Sequence, residues 1–442
     1  MPSPYFQDHS NRGKNMTNQA IVAVGVFLVT YGLIISEKIH RTIVAILGGL
    51  IVILLGIVSQ ETAVSHVDFN TLGLLIGMMI IVAITAQTGL FNYVAVWSAK
   101  KVQADPLKIM VALALITGIF SAGLDNVTTV LLMVPVTFSI TRQLQINPMP
   151  YLLSQIIASN VGGTATLIGD PPNIMIGSAV KELTFMVFIE NLFLIAFFIL
   201  FVTVAILAYV YRNSFNTTET LKAELMARDE KKEILDSTLL KKCLIVIAIT
   251  FAGFFGHQLL HLESATVALI GAFLLLLISA KGDHDLEKVF NKIEWTTIFF
   301  FIGLFVLVGS LVETGVISML AKSAIAWTGG DVKTTAMLIL WMSAIASAFV
   351  DNIPFVATMI PLIQDMGQMG VANLEPLWWS LALGACLGGN GTLIGASANL
   401  VVAGLAAQQG YPIRFMDYLK IGFPLMILSI MISTVYIYLR YL

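Results

Sequence analysis

Charge is scarce in this 442-residue chain: Asp, Glu, Lys and Arg together make up 11% of it, less than half the share usual in a soluble domain. The formal net charge is −2, so no global field draws the chain to nucleic acid. There are two cysteines, Cys243 and Cys386, and neither has a partner at metal-site or redox-motif spacing, which argues against a disulfide framework. No Gly-x-x-x-x-Gly-Lys-Ser/Thr phosphate loop is present, so the chain alone is not a nucleotide-driven pump. No nucleophile–base pair or metal cluster falls on a common motif, so neither an enzyme nor a cofactor is expected. His257 and His261 lie one helical turn apart, with no third ligand nearby.

What the chain has instead is apolar residues, 57% of the total. They come in runs, such as Ala20–Ser36, Leu192–Tyr211 and Leu244–Leu260. Runs of roughly 17–25 apolar residues are long enough to cross a bilayer as helices. The expected class is an all-α integral membrane protein whose first partner is the lipid bilayer. Residues 1–18 are polar and read as a tail. No A-x-A-like cleavage site follows the next run, so it reads as a first span and not as a signal peptide.

The chain repeats itself at an offset of 226 residues. Asp68 meets Glu294, Gly77 meets Gly303, and Thr88-Gly89 meets Thr314-Gly315. Asp125-Asn126 falls on Asp351-Asn352, Pro135 on Pro361, and Gly162-Gly163 on Gly388-Gly389. Thr166-Leu167-Ile168-Gly169 falls on Thr392-Leu393-Ile394-Gly395, and Asn173 on Asn399. Chance does not preserve such polar and glycine pairs at one gapless offset.

The repeat organises the chain into a first transmembrane unit at 19–211, a charged linker at 212–241 and a second unit at 242–442. In the first, spans are expected near 19–36, 42–58, 69–90 and 187–211, with a broken stretch at 107–142 and a discontinuous span at 151–180. In the second they fall near 243–260, 264–280, 295–313 and 420–441, with a broken stretch at 334–365 and a discontinuous span at 376–409. With the broken stretches as re-entrant hairpins, each repeat crosses about five times, and the odd number inverts the second against the first. Eighteen of the 24 Lys and Arg then lie on the linker's side. By the positive-inside rule that side is cytoplasmic, at the cell membrane, with both termini outside. Counting each hairpin as two spans gives the same sidedness.

Paired breaks in membrane helices carry the chemistry. A break frees backbone N–H and C=O groups, tolerable only where they line a polar cavity. The freed ends carry partial charges suited to ions and small polar solutes. One pair of breaks holds Asp125, Asn126, Thr128 and Thr129 in the first repeat and Asp351 and Asn352 in the second. Helix capping would use the same residues. The other pair holds Gly163, Thr164, Thr166, Asp170 and Asn173, matched by Asn390, Thr392, Ser397 and Asn399. Carbonyl, hydroxyl and amide oxygens form a hard-ligand shell suited to Na⁺, with Asn126, Asp170, Asn352 and Asn399 its expected ligands. Asp170 has no acidic mate, since Ala396 stands at its equivalent, so it is the leading carboxylate for coupling to Na⁺ or H⁺. A cap before Pro171-Pro172 is the alternative. Glu313, mate of Gln87, reads equally as an interface residue, and Cys386 as buried packing. Phe299–Phe301 and Trp378-Trp379 read as lipid-facing or interfacial.

Four stretches carry a family resemblance: SAGLDNVTTVLLMVPVT (121–137), NVGGTATLIGDPPNIMIGS (160–178), SAFVDNIPFVATMIPLI (347–363) and LGGNGTLIGASANLV (387–401). The chain resembles ArsB/NhaD family permeases of the ion transporter superfamily, with a citrate-transporter-like domain and P-protein-like motifs. The resemblance implies inverted repeats with two re-entrant hairpins, a homodimer, and alternating access. Family functions range over Na⁺/H⁺ antiport, arsenite or antimonite export and anion transport. An ATPase partner in trans is known for some arsenite permeases, and the linker is where one would dock. Citrate and dicarboxylate carriers of the superfamily have Ser-Asn-Thr where this chain has Asp125-Asn126-Val127 and Asp351-Asn352-Ile353. Two added carboxylates, with no Lys or Arg in the motifs, would repel a dicarboxylate. The expectation is therefore a cation, or a neutral oxyacid such as arsenous acid, with sodium-coupled carboxylate uptake as the alternative.

Overall fold

A computed structural model of the protein describes residues 8–36, 38–256, 262–280 and 282–442, with side chains from residue 18 on. His257 and His261 lie outside the described residues. The described chain is helical, without strands. Eight of its helices are long and apolar enough to cross a membrane. The first begins at Asp8, inside the stretch expected to be a tail.

The 226-residue offset is written into the helices. Phe69 and Trp295, Leu90 and Val316, Pro106 and Val332, Asn126 and Asn352, Met149 and Glu375, and Pro171 and Ser397 each open a helix in their own repeat. Each hairpin is a pair of helices joined by two non-helical residues, the second of them the tip aspartate. Pro106–Gly123 and Asn126–Gln143 are joined by Leu124-Asp125, and Val332–Phe349 and Asn352–Gln368 by Val350-Asp351. Each discontinuous span is Met149–Gly163 with Pro171–Ala179, or Glu375–Gly388 with Ser397–Gln408. The fold is two inverted repeats with re-entrant hairpins and discontinuous helices.

The repeats interlock through swapped helix pairs. Phe69–Ala86 packs on Ser264–Ser279 of the other repeat, and Trp295–Glu313 packs on Arg41–Leu54. Helices in lipid gain little from apolar burial alone, so close backbone approach through small residues drives their pairing. Gly77 and Gly303 permit it here. A Cβ on Gly77 would stand 2.8 Å from the Ala268 carbonyl carbon, and one on Gly303 would stand 2.5 Å from that of Ala45. Arg41–Leu54 has 14 residues and Ser264–Ser279 has 16, about 21 and 24 Å of helix. These two expected spans are thus shorter than a typical hydrocarbon core.

Two features depart from expectation. Helices Leu90–Lys101 and Val316–Thr328, of 12 and 13 residues, precede the hairpins where no element was foreseen. The aromatic pairs are not lipid-facing: Phe300, Phe301, Trp378 and Trp379 are buried, and of these clusters Phe299 alone is exposed. Trp379 meets the Phe188 ring edge-on at 5.2 Å, and its indole N–H donates to Glu375 at 3.2 Å. The linker folds back onto the first repeat. It forms helix Glu219–Ala227 and a turn at Glu230–Glu233, and it is pinned by Lys100 to Glu230 at 2.5 Å and by Leu235 N–H to Thr88 O at 2.9 Å. The Lys100 ammonium holds the Glu230 carboxyl below its ordinary range.

Candidate functional site: two hairpin tips and two broken helices

The broken helices are braced first. Thr166 Oγ1 donates to Ala122 O at 2.5 Å, and its mate Thr392 donates to Ala348 O. The Asn173 amide donates to Thr164 O and Thr166 O at 3.2 and 2.9 Å, and that of Asn399 to Gly389 O and Thr392 O at 2.8 and 2.9 Å. Thr164 Oγ1 donates to Asn160 O at 2.8 Å. These side chains satisfy carbonyls that the breaks set free, as buried polar groups require. Gly163 lets the break close on itself, since a Cβ there would stand 2.5 Å from Gly169 O.

An amide chain then joins the repeats. Asn126 Nδ2 donates to Asn160 Oδ1 at 3.1 Å, and Asn160 Nδ2 donates to Asn390 Oδ1 at 2.9 Å and Asn399 Oδ1 at 2.8 Å. Asn160 went unnoticed in the sequence because its mate is Cys386. The structure explains the exchange. Cys386 Sγ reaches Asn173 Oδ1 at 3.5 Å, standing where Asn160 stands toward Asn399. Cys386 is fully buried, as a packing residue would be.

The two tip aspartates differ. Asp125 accepts from Thr128 N–H at 2.8 Å and from the Thr128 hydroxyl, so it caps its helix. Asp351 accepts from Ile353 N–H at 3.2 Å and Ser397 Oγ at 2.9 Å, and it forms an ion pair with Arg41. The idea that nothing basic compensates the tips is thereby corrected. Arg41 lies outside every motif, and its equivalent in the second repeat is Val267, so the repeat could not reveal it. Its guanidinium also stands 5.1 Å from the centre of the Phe300 ring.

Asp170 is 1% exposed and makes no side-chain cap bond. The two following residues are prolines without an N–H, and the next N–H, that of Asn173, donates to the Asp170 backbone carbonyl at 3.0 Å and not to its carboxylate. Instead Asn352 Nδ2 donates to Asp170 Oδ1 at 3.3 Å, tying the second tip to the first broken helix. Asp125, Asn126, Asp170, Asn352 and Ser397 all line one cavity of about 10 Å³. Glu294 and Thr297 line it too. Asn399, an expected Na⁺ ligand, is committed to the bracing and the amide chain. Two buried oxygens in the first hairpin have no partner among the described residues: Asn126 Oδ1 and Thr129 Oγ1.

Larger cavities flank this centre. One, of about 340 Å³, is lined by His40, Arg41, Asp351, Ser397 and apolar side chains. Another, of about 240 Å³, is lined by His66, Asp68, Ser178 and Gln364. They sit at opposite ends of helix Trp295–Glu313. Thr42, beside Arg41, donates to Thr296 O at its start, and His66 bonds Glu313 at its end at 2.9 Å. Glu313 thus has a specific partner.

Inverted repeats, broken helices and a buried polar centre between two cavities define a multi-pass secondary transporter. The chain belongs to the citrate transporter family, whose model matches residues 31–384. It is 42% identical over 428 residues to Uncharacterized transporter Rv2684 of Mycobacterium tuberculosis, covering 96% of this chain and 99% of that one. It is 34% identical over 516 residues to the P protein of Homo sapiens, covering 98% of this chain and 61% of that longer protein. The crystal structure of the Alcanivorax borkumensis YdaH transporter, described as having an unusual topology, shares the fold. Its TM-score is 0.58 at 13% identity, over 95% of this chain and 97% of that one.

Proposed function

We propose that this transporter couples solute movement to a small cation, Na⁺ or H⁺, taken up where the two hairpin tips meet, and that it works by alternating access as a cation–proton antiporter. The observation that carries this reading is the 10 Å³ cavity. Asp125, Asp170 and Glu294 line it, and no Lys or Arg does. Uncompensated carboxylates inside a membrane protein mark ion pathways and proton relays.

The test is transport by the purified chain in proteoliposomes holding a pH-sensitive dye, with Na⁺, Li⁺ or K⁺ added in turn. A dye response to Na⁺ or Li⁺ that disappears in Asp170→Asn supports antiport. Silence to every cation contradicts it. Arg41 favours a second reading, a Na⁺-coupled anion carrier, because it brings a guanidinium to the 340 Å³ cavity. That reading predicts Na⁺-dependent uptake of a labelled carboxylate that is lost in Arg41→Met.

A further inference from the structure

We infer that Glu294 is a cation-ligating, specificity-determining residue of this centre, supplied by the scaffold helix of the second repeat and not by a hairpin or a broken helix. The inference rests on the centre being the cation site.

It starts from a contrast between repeat mates. Asp68 opens helix Phe69–Ala86 and spends its carboxylate there. It accepts from Asn70 N–H at 3.0 Å, Thr71 N–H at 3.2 Å, Thr71 Oγ1 at 2.5 Å and Ser178 Oγ at 2.8 Å. Glu294 opens the equivalent helix Trp295–Glu313 and makes no side-chain cap bond. Among the described residues its one side-chain hydrogen bond is from Thr297 Oγ1, at 3.1 Å. Glutamate is one methylene longer than aspartate, and here that length carries the carboxylate past the capping position to the wall of the cavity.

The cavity wall holds a second, independent sign of a ligand. Asn126 is 2% exposed, and its Oδ1 has no hydrogen-bond donor. A buried amide oxygen without a donor is destabilising, and a cation would satisfy it. The space, about 10 Å³, admits one water-sized body. An ion must therefore enter without its hydration shell, and the protein must replace that shell with oxygens. Asn126 Oδ1, Thr297 Oγ1 and the carboxylates of Asp125 and Glu294 are such oxygens. Among the described residues no three His, Cys, Asp or Glu side chains stand close enough to hold a metal jointly. The site therefore suits a small monovalent ion held by mixed ligands, and not a multi-carboxylate divalent centre. Arg41, the basic residue at the second hairpin tip, is engaged by Asp351.

The test uses the full purified chain in detergent. Its thermal midpoint is followed while NaCl replaces choline chloride, and then LiCl. The wild type should gain stability with Na⁺ along a saturating curve. Glu294→Gln and Glu294→Asp should each raise the half-saturating Na⁺ concentration at least tenfold, with midpoints in choline close to wild type. Glu294→Asp is decisive because it keeps the charge but withdraws it to the capping position that Asp68 occupies. A Glu294→Asp protein with wild-type half-saturation overturns the inference while leaving the cation site standing. A wild type with no response to either ion overturns both.

Discussion

Arg41→Met removes the guanidinium that meets the second hairpin tip. Asp351 is 8% exposed and Arg41 is 24% exposed, so the pair is only partly shielded from water. Two unit charges about 4 Å apart attract by about 4 kcal/mol at an effective dielectric of 20. Desolvation of the aspartate and the water still reaching the arginine take back roughly half of that. The remaining partners of Asp351, Ser397 Oγ and Ile353 N–H, persist in the mutant and soften the loss. The expected coupling between the two side chains is about 2 kcal/mol, below the 3–5 kcal/mol typical of breaking a fully buried pair. The assay is a double-mutant cycle of Arg41→Met, Asp351→Asn and the pair, read by reversible unfolding in mixed micelles. Asp351→Asn should cost clearly less when Met already stands at 41. Single-mutant costs that add to within about 0.5 kcal/mol would refute the interaction.

Three further outcomes follow from the packing. Gly303→Leu should abolish the monodisperse folded peak in size-exclusion chromatography, because a side chain there meets the Ala45 backbone at 2.5 Å. Leu304→Ile, a volume-conserving change at a buried neighbour, should leave the peak in place. Cys386→Ser keeps a donor toward Asn173 and should cost less than about 1 kcal/mol, whereas Cys386→Val leaves Asn173 Oδ1 without a donor and should cost about 1–3 kcal/mol, read in the same micelles. Lys100→Ala releases its contacts with Glu230 and the Arg228 carbonyl, so limited trypsin digestion after Arg228 and Lys232 should quicken several-fold.

The architecture was legible in the sequence because both repeats keep the same breaks. Gly, Pro, Asp and Asn at matched positions disclose helix ends that hydropathy alone would blur. What the repeat could not disclose is where the repeats differ. Arg41 matches Val267, Asn160 matches Cys386, and Glu294 matches Asp68, whose carboxylate is spent on its own helix start and on Ser178. Arg41 and Asn160 make their contacts across the interlocked repeats, and Glu294 lines a cavity that residues of both repeats share, which no local pattern records. The aromatic clusters misled for another reason. Lipid and the interior of a helix bundle are equally apolar, so Phe300, Phe301, Trp378 and Trp379 carry no local mark of which they face. The short helix Leu90–Lys101 was overlooked because its apolar residues continue from the preceding span, the turn between them resting on Gly89 at φ +80°.

Alternating access requires that the two flanking cavities reach one shared centre from opposite sides of the membrane and open in turn. Single cysteines at Ile39, beside the Arg41 cavity, and at Ser178, in the His66 cavity, report on the two sides. The native Cys243 and Cys386 are buried. Labelling by a membrane-impermeant maleimide, in oriented vesicles with and without Na⁺, gives the most direct test. The two positions should be labelled from opposite faces, and Na⁺ should change their rates in opposite directions. Labelling of both from one face, or rates indifferent to Na⁺, would contradict alternating access.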